Sequence, residues 1–476
     1  MNNLMMGMLA IAAATFTGCS NDEAFDQAGT GKSNVENFYL KLQVMGTNAP
    51  SSRTTGSPTE DGTAEESAIK SGTIWLVDAQ GNVAFSKHIT AADWDGANNQ
   101  TSKPIKVAVT QVSENTPYKV YFLANKEGTL TTSPTTQELT SNKGGADYAS
   151  GNSFVMFNQN DKNVKAAENT VTFKKENTDE NNPATPGQAI KLDRVTARID
   201  KPSSVSEINK PADETIASTS KTENIDAIKS VEFQGYAPFN VANKENMEQK
   251  WDTNWEVVQL PNDLGSLYQL KTAFGDGYHI GISGNTNPPV FTTEKSYIFE
   301  NVNDEADKAT GIFLKYRATA ETTVNKDFAD GTFYRYDKQV FTSIEEIIKY
   351  ADAANPFGEK TAAEVVEEIK GEPSAEDPTK FNLTTDEDKI ETFRNAYNIE
   401  VFEQGYVYYQ YLIEDANHTG KKYSVLRNSI YRLNIKAIYD LGSDTPNTPP
   451  IYPNYYLNVE VNVNPWVLVD KDIELH

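Results

Sequence analysis

The chain has 476 residues, a single cysteine and a net charge of −24, with 43 Lys plus Arg set against 67 Asp plus Glu. That length suits two or three domains with real cores, and two are expected. The charge argues against nucleic acid and anionic membrane surfaces as partners, and one cysteine allows no internal disulfide, so packing must supply the stability.

An apolar run from Met5 to Phe16 leads into Thr17-Gly18-Cys19-Ser20. About a dozen apolar residues fit the core of an export signal, whereas a membrane-spanning helix needs about 20. A small residue before a cysteine is the lipoprotein pattern, so Cys19 is expected to carry lipid after residues 1–19 are removed, leaving no transmembrane segment. The opening Met1-Asn2-Asn3 has no Lys or Arg, so either the natural start lies upstream or the signal is atypical. Gly29-Thr30-Gly31-Lys32-Ser33 imitates the end of a phosphate-binding loop. Asp26 stands where its first glycine belongs and no strand precedes it, so a flexible tether is expected.

Period-two alternation dominates the ordered segments. Phe38, Leu40, Leu42 and Val44 alternate with Tyr39, Lys41 and Gln43, the pattern of a strand with one buried face. Beyond a Ser/Thr/Gly/Pro-rich gap from Gly46 to Gly62, Thr73 to Val77 and Val83 to Phe85 flank Asp78-Ala79-Gln80-Gly81-Asn82 and predict a hairpin. Ile105 to Val112, Tyr118 to Asn125, Ser153 to Asn158 and Thr170 to Lys174 read as further strands. The polar, breaker-rich stretch Glu176 to Gln188 places a domain boundary there. Leu192 to Ile199 and Ile228 to Tyr236 then repeat the strand, polar gap and strand order of the first half, which suggests two related β-sandwich domains. Two helices are predicted, Ser343 to Ala351 and Ala362 to Lys370, the second with a capping box from Thr361 and Glu364. Gly405 to Leu412, Ser429 to Tyr439 and Tyr455 to Val463 close a mostly antiparallel β architecture.

Catalytic chemistry finds little footing. His88, His279, His418 and His476 show no metal-ligand spacing, the cysteine sits in the leader, and no Gly-x-Ser-x-Gly elbow occurs. No catalytic residue, metal or cofactor is expected. Asp304-Glu305-Ala306-Asp307 and Asp386-Glu387-Asp388 read as solvated acidic faces, since acid/base work needs a desolvated carboxyl. Asp93-Trp94-Asp95-Gly96 starts like a calcium loop but has Ser102 where the closing Glu belongs, so a turn is expected. Trp94, Trp251 and Trp255 could stack on sugars, although core positions are the simpler expectation.

Two features point to assembly. Arg53 is the only basic residue between Lys41 and Lys70 and lies in a Ser/Thr/Pro loop, an accessible site for an arginine-specific protease. A cut at Arg53-Thr54 would remove the lipid anchor, the tether and the strand Phe38 to Val44 together. At the other end, Pro465 cannot donate to a central ladder and should divide an in-domain strand from Trp466, Val467, Leu468, Val469, Ile473 and Leu475, a second apolar segment free to pair elsewhere. Such a segment from a neighbouring subunit could fill the groove left by Phe38, Leu40, Leu42 and Val44. A head-to-tail contact of this kind propagates into a filament.

The lipobox Thr17-Gly18-Cys19, the Arg53-Thr54 site, Tyr118 to Asn125, Arg194 to Ile199, Val425 to Ile435 with Arg427-Asn428, and the ending Val461-Asn462-Val463-Asn464-Pro465-Trp466 together resemble the Bacteroidales fimbrillins, most closely the major subunits of short, Mfa-type fimbriae. The resemblance implies two transthyretin-like antiparallel β-sandwich domains with a few short helices in the second, spanning 54–187 and 188–464. They would follow a signal peptide (1–19) and a propeptide (20–53) and precede a donor strand (465–476). It also implies an outer-membrane lipoprotein precursor lipidated at Cys19, cleaved at Arg53-Thr54 by an arginine-specific protease, and polymerised by donor-strand exchange into surface fimbriae. Identical subunits, accessory tip and anchor subunits, and host or bacterial surface receptors are the implied partners. A tip adhesin or surface glycan-binding lipoprotein is the alternative.

Overall fold

A computed structural model describes residues 36–46, 60–96, 100–128, 130, 132–141, 145–150, 153–160, 165–209, 221–254, 256–258, 268–269, 281–282, 290–305, 308–321, 326–415, 421–446 and 457–467. Contacts divide the chain into Met1–Glu36 and a compact unit, Asn37–His476, which holds the strands and helices.

Alternating apolar residues build the first half. Its elements are β1 (Asn37–Leu40), β2 (Val44–Gly46), β3 (Glu60–Asp61), α1 (Ala64–Ser67), β4 (Gly72–Val77), β5 (Val83–Ile89), β6 (Ile105–Ala108), β7 (Pro117–Ala124), β8 (Met156–Asn158), β9 (Thr170–Thr172) and β10 (Ile190–Arg194). Neighbours in the main sheet run β2-β10-β8-β7-β4-β5, with β9 also on β7, while β1 pairs with β6. The predicted hairpin is β4–β5. Asp78 closes its turn by accepting from the backbone N–H groups of Gln80 at 2.9 Å and Asn82 at 2.8 Å, and Gly81 supplies the left-handed residue at φ +90°. All six residues of β4 are buried. Ile74 and Leu76 face a core shared with Leu40, Val44, Val120 and Phe122. Trp75 and Val77 face a second core that includes Met247 and Phe299 from the second half. Several predicted strands are shorter than their apolar patterns, as in Ile105 to Val112, which keeps sheet pairing only to Ala108.

Leu192 to Ile199, expected as one strand, is two. β10 ends at Arg194, and β11 (Ala197–Ile199) resumes in a different sheet, with β10 paired to β8 and β11 paired elsewhere. The second half adds β12 (Ile228–Phe239), β13 (Ser296–Ile298), β14 (Gly311–Ala320), β15 (Phe333–Tyr336), β16 (Gln339–Phe341), α2 (Ile344–Ala351), α3 (Ala362–Ile369), α4 (Glu387–Tyr397), β17 (Glu400–Phe402), β18 (Tyr406–Leu412), β19 (Ser429–Ile438) and β20 (Leu457–Val467). One sheet orders β12-β14-β18 and the other β13-β11-β19-β20-β3. Ile199, Tyr236, Leu314, Tyr316, Val407, Tyr431, Leu433 and Ile435 form the core common to them. Pairing is mostly antiparallel, with β2–β10, β11–β19 and β3–β20 parallel.

Between β14 and β18 the chain builds a lobe from β16-β15-β17 and three helices around Tyr334, Ile347, Val365, Ile390, Phe393 and Val401. The predicted capping box is present: Thr361 N–H donates to Glu364 at 2.8 Å and Glu364 N–H to the Thr361 hydroxyl at 3.3 Å. The third helix, α4, was not expected. Asp386 is its N-cap and Glu387 and Asp388 open its first turn, where acidic side chains complement the helix dipole. Asp327 sits beneath α2, accepting from Ile344 N–H at 2.7 Å and from the Tyr334 hydroxyl at 3.1 Å. Burial raises this carboxyl to about 6 despite those two bonds.

Candidate functional site: a strand-filled groove and a buried ion cage

The residues expected to form a removable strand fill a groove in the first half. Phe38 is 6% exposed, and Leu40, Leu42 and Val44 are fully buried, while Gln43 is exposed and Tyr39 and Lys41 are half-buried. The segment is bonded along both edges. On one edge Phe38 pairs with Val107 and Leu40 with Ile105; Leu42 N–H donates to the Ser102 hydroxyl and Ser102 N–H to Leu42 C=O, both at 2.9 Å; and Val44 N–H reaches Gln100 C=O at 2.8 Å. On the other edge, Ala184 N–H donates to Tyr39 C=O, Lys41 N–H to Ala184 C=O and Ile190 N–H to Gln43 C=O, each at 2.8 Å. Val44 to Gly46 then run parallel to Ile190 to Leu192. The Phe38 ring lies 5.3 Å from that of Phe173. Four such side chains represent roughly 6–12 kcal/mol of gross apolar burial at about 1.5–3 kcal/mol each. The strand's exposed face adds one ion pair, Lys41 Nζ to Asp95 at 3.4 Å.

A second arrangement lies just downstream. Thr63 caps α1, and the Glu66 side chain, 3% exposed, returns to Thr63 N–H at 2.9 Å. The same carboxylate accepts from Arg198 Nη1 at 3.0 and 3.2 Å, Lys295 Nζ at 3.1 Å and the Tyr297 hydroxyl at 2.9 Å. Burial alone would raise this carboxyl; the Thr63 bond, Arg198, Tyr297 and Lys295 outweigh it and hold Glu66 at about 2. Asp200 grips the other side of Arg198, taking Nε at 2.7 Å and Nη2 at 3.1 Å. Arg194, fully buried, donates Nε to Glu66 C=O at 2.9 Å and Nη2 to the Ser67 hydroxyl at 3.2 Å. Burial draws its guanidinium down to about 9, against the pull of Glu66.

Arg427-Asn428 extends the same cage. Asn428, at φ +54°, accepts from Arg194 N–H at 3.3 Å and donates to Asp193 at 2.9 Å. Arg427 donates Nη1 to Met247 C=O at 2.9 Å and Nη2 to Glu300 at 3.2 Å, with Glu245 at 3.3 Å. Sequence reasoning offered Arg194, Arg198 and Arg427-Asn428 only as marks of resemblance and missed Glu66 altogether. Arg194 and Arg198, four apart among the strand-forming residues Leu192 to Ile199, were the available signal, since buried charges need partners.

Of the remaining predicted positions, Cys19, Arg53, Thr54, Leu468, Val469, Ile473 and Leu475 lie outside the described residues. Trp466 and Val467 belong to β20, which runs through Pro465 with Ser429 opposite it and pairs Trp466 with Glu60 and Val467 with Asp61. β20 shares no pairing with Phe38 to Val44. Trp94 is buried, its Nε1 donating to Lys70 C=O at 3.2 Å, and Trp251 Nε1 donates to Asn160 C=O at 2.6 Å; Trp255 lies outside the described residues. The turn expected at Asp93 to Gly96 is instead the end of a 3-10 helix, Ala91–Asp93, followed by a two-residue strand, Trp94–Asp95, paired with Thr101–Ser102; Asp93 accepts from Thr90 N–H at 2.8 Å. Among the described residues no group of three His, Cys, Asp or Glu is placed to hold a metal, and no helix is long and apolar enough to cross a membrane.

Residues 38–194 match the family model described as Major fimbrial subunit protein (FimA), and residues 400–472 match Major fimbrial subunit protein type IV, Fimbrillin, C-terminal. The two matched segments lie apart along the chain. The first spans the groove strand through Arg194, and the second holds Arg427-Asn428 and β20. The search of curated proteins returned no match. Among solved structures, the chain is similar to a putative cell adhesion protein from Parabacteroides distasonis at 12% identity and TM-score 0.48, covering 90% of this chain and 99% of that one. It is similar to a fimbrilin from Porphyromonas gingivalis at 16% identity and TM-score 0.44, covering 92% and 100%. The tip fimbrial protein Mfa3 from Porphyromonas gingivalis matches at 12% identity and TM-score 0.35, covering 90% and 100%.

Proposed function

We propose that this chain is a structural, non-enzymatic subunit of a cell-surface fimbrial shaft of the short, Mfa type. It is exported as an outer-membrane lipoprotein precursor anchored through Cys19 and cleaved between Arg53 and Thr54. The mature chain comprises two transthyretin-like sandwich domains, 54–187 and 188–464, and a donor segment, 465–476. Trp466 to Leu475 of one subunit replaces Phe38 to Val44 of the next, with tip and anchor subunits at the filament ends and surface receptors as targets. The observation that carries this reading is the groove strand: it is apolar, fully buried at Leu40, Leu42 and Val44, bonded on both edges, and joined to the rest of the chain by a segment containing one arginine. Its loss would leave two unpaired edges around an apolar trough, a template for an incoming strand. The family matches at both ends of the chain support the same reading.

The test is to treat purified precursor lacking lipid with an arginine-specific protease, sequence the new N-terminus and image the product. A start at Thr54 with SDS-resistant ladders or filaments is expected, and cleavage that leaves only monomers would refute the shaft assignment. Arg53→Ala should be exported and lipidated yet stay monomeric. Deletion of Val467 to His476 should give cleaved monomers, and filaments from that truncation would rule out the donor segment. The glycan-binding alternative gains nothing from Trp94, which is buried.

A further inference from the structure

The end of the chain and the start of the proposed mature chain hold each other. β20 continues past Pro465, and its last two residues pair in parallel with Glu60 and Asp61 of β3, the outermost strand of that sheet. A two-residue parallel pair on a sheet edge has little stability of its own. Something beyond it must fix its position. Only residues 62–65 separate β3 from Glu66, a span of at most about 3.5 Å per residue, and Glu66 is fixed by Arg198, Lys295 and Tyr297 from the second half. Ser67 and the Glu66 carbonyl are held by Arg194 at the same place. The Thr63–Glu66 capping box stiffens the intervening turn.

We infer that Glu60 to Ser67 is a clasp on the last strand, with the Glu66 cage as its fixed end and β3 as its jaw, and that it keeps Trp466 and Val467 at home in the folded subunit. The consequence, that the donor segment leaves only when this jaw opens, rests on the reading of residues 465–476 as the donor; the clasp itself does not. The cage is suited to the part because it ties α1 to the second half through charged geometry that survives removal of everything before Thr54. Opening the jaw then costs a short edge pairing and leaves the cage intact.

The clasp is tested on the full-length, unlipidated precursor by hydrogen exchange. Two variants separate jaw from anchor: Glu66→Gln, which loosens the anchor, and a Gly-Ser-Gly insertion between Gly62 and Thr63, which keeps the anchor and frees the jaw. Both should speed exchange at Trp466 and Val467 by about fivefold or more, as expected for local opening, while protection in Phe38 to Leu42 and Ile430 to Leu433 is unchanged. Unchanged exchange at Trp466 and Val467 in the insertion variant overturns the clasp, and so does equal acceleration in all three segments. If Glu66→Gln fails to fold, the insertion decides alone. Faster exchange in a protein that never polymerises after trimming would uphold the clasp and defeat the donor reading.

Discussion

The chain is anchored on the two sides of Arg53 by opposite means. Before it, Phe38 to Val44 are held by apolar burial and by backbone ladders on both edges, neither of which depends on which side chain fills the groove as long as the alternation is kept. After it, Glu66 is held at fixed distances by the Arg198 guanidinium, the Lys295 ammonium and the Tyr297 hydroxyl, directed contacts that an apolar side chain cannot make. A contact made of alternation can be exchanged for an equivalent strand. A contact made of directed charges accepts only its own partners.

The largest effect should come from breaking the second kind of contact. Glu66→Ala takes the carboxylate away from buried Arg198 and leaves that guanidinium with Asp200; removing one partner of a buried ion pair costs about 3–5 kcal/mol, and urea denaturation should show that loss in precursor and processed chain alike. Leu42→Ala, by contrast, should cost about 2–5 kcal/mol through the cavity it leaves, but only in the precursor. After cleavage at Arg53 the difference should vanish, and its persistence would break the comparison.

Acid separates the two regions again. Glu66 is lowered from 4.5 to about 2, so its folded form is favoured while ionised. Its contribution is full above about 5, and it is lost as pH falls through the 4.5 to 2 window; the linked loss is about 3 kcal/mol. Asp327 has the opposite sign: raised to about 6, it takes up a proton more readily folded than unfolded, so its burial costs stability as pH rises from about 4 to 6. Stability measured against pH in Glu66→Gln should therefore lose its steep acid limb and keep the shallow decline above pH 4, whereas Asp327→Asn should do the reverse.

How far the sequence was legible follows the same division. The burial alternation of Phe38 to Val44, the Asp78 to Asn82 hairpin and the Thr361 capping box were readable because local periodicity and local hydrogen bonds encode them, but the single strand expected at Phe38 to Val44 is broken after Leu40 and resumes at Val44 in another sheet. The helix at Glu387 to Tyr397 was hidden because its opening acidic residues, which serve as cap and first turn, looked like a solvated patch. The expected single strand at Leu192 to Ile199 concealed a change of sheet, since every residue of it is buried on both sides of the break. Pro465 was expected to end a strand, but the strand passes through it beside its edge partner β3. The one local signal for Glu66 was its capping box with Thr63 three residues before it; its Arg198, Lys295 and Tyr297 partners are 132 to 231 residues away. Charge pairing at that separation leaves no periodic trace.

The smallest expected effects give the finest test, because they compare conservative changes. Leu42→Met keeps nearly the same volume in the groove and should cost less than about 1.5 kcal/mol, since a flexible apolar side chain repacks against the same walls. Arg198→Lys also keeps charge and approximate length, yet it abandons a guanidinium that bridges Glu66 and Asp200 with separate donors, and a single ammonium cannot reproduce that fork. It should therefore cost more than Leu42→Met in the precursor and keep its full cost after cleavage, both read by denaturation midpoints at constant slope. Equal costs for the two would mean that the cage is as tolerant as the groove, and the distinction between an exchangeable strand and a permanent anchor would fail.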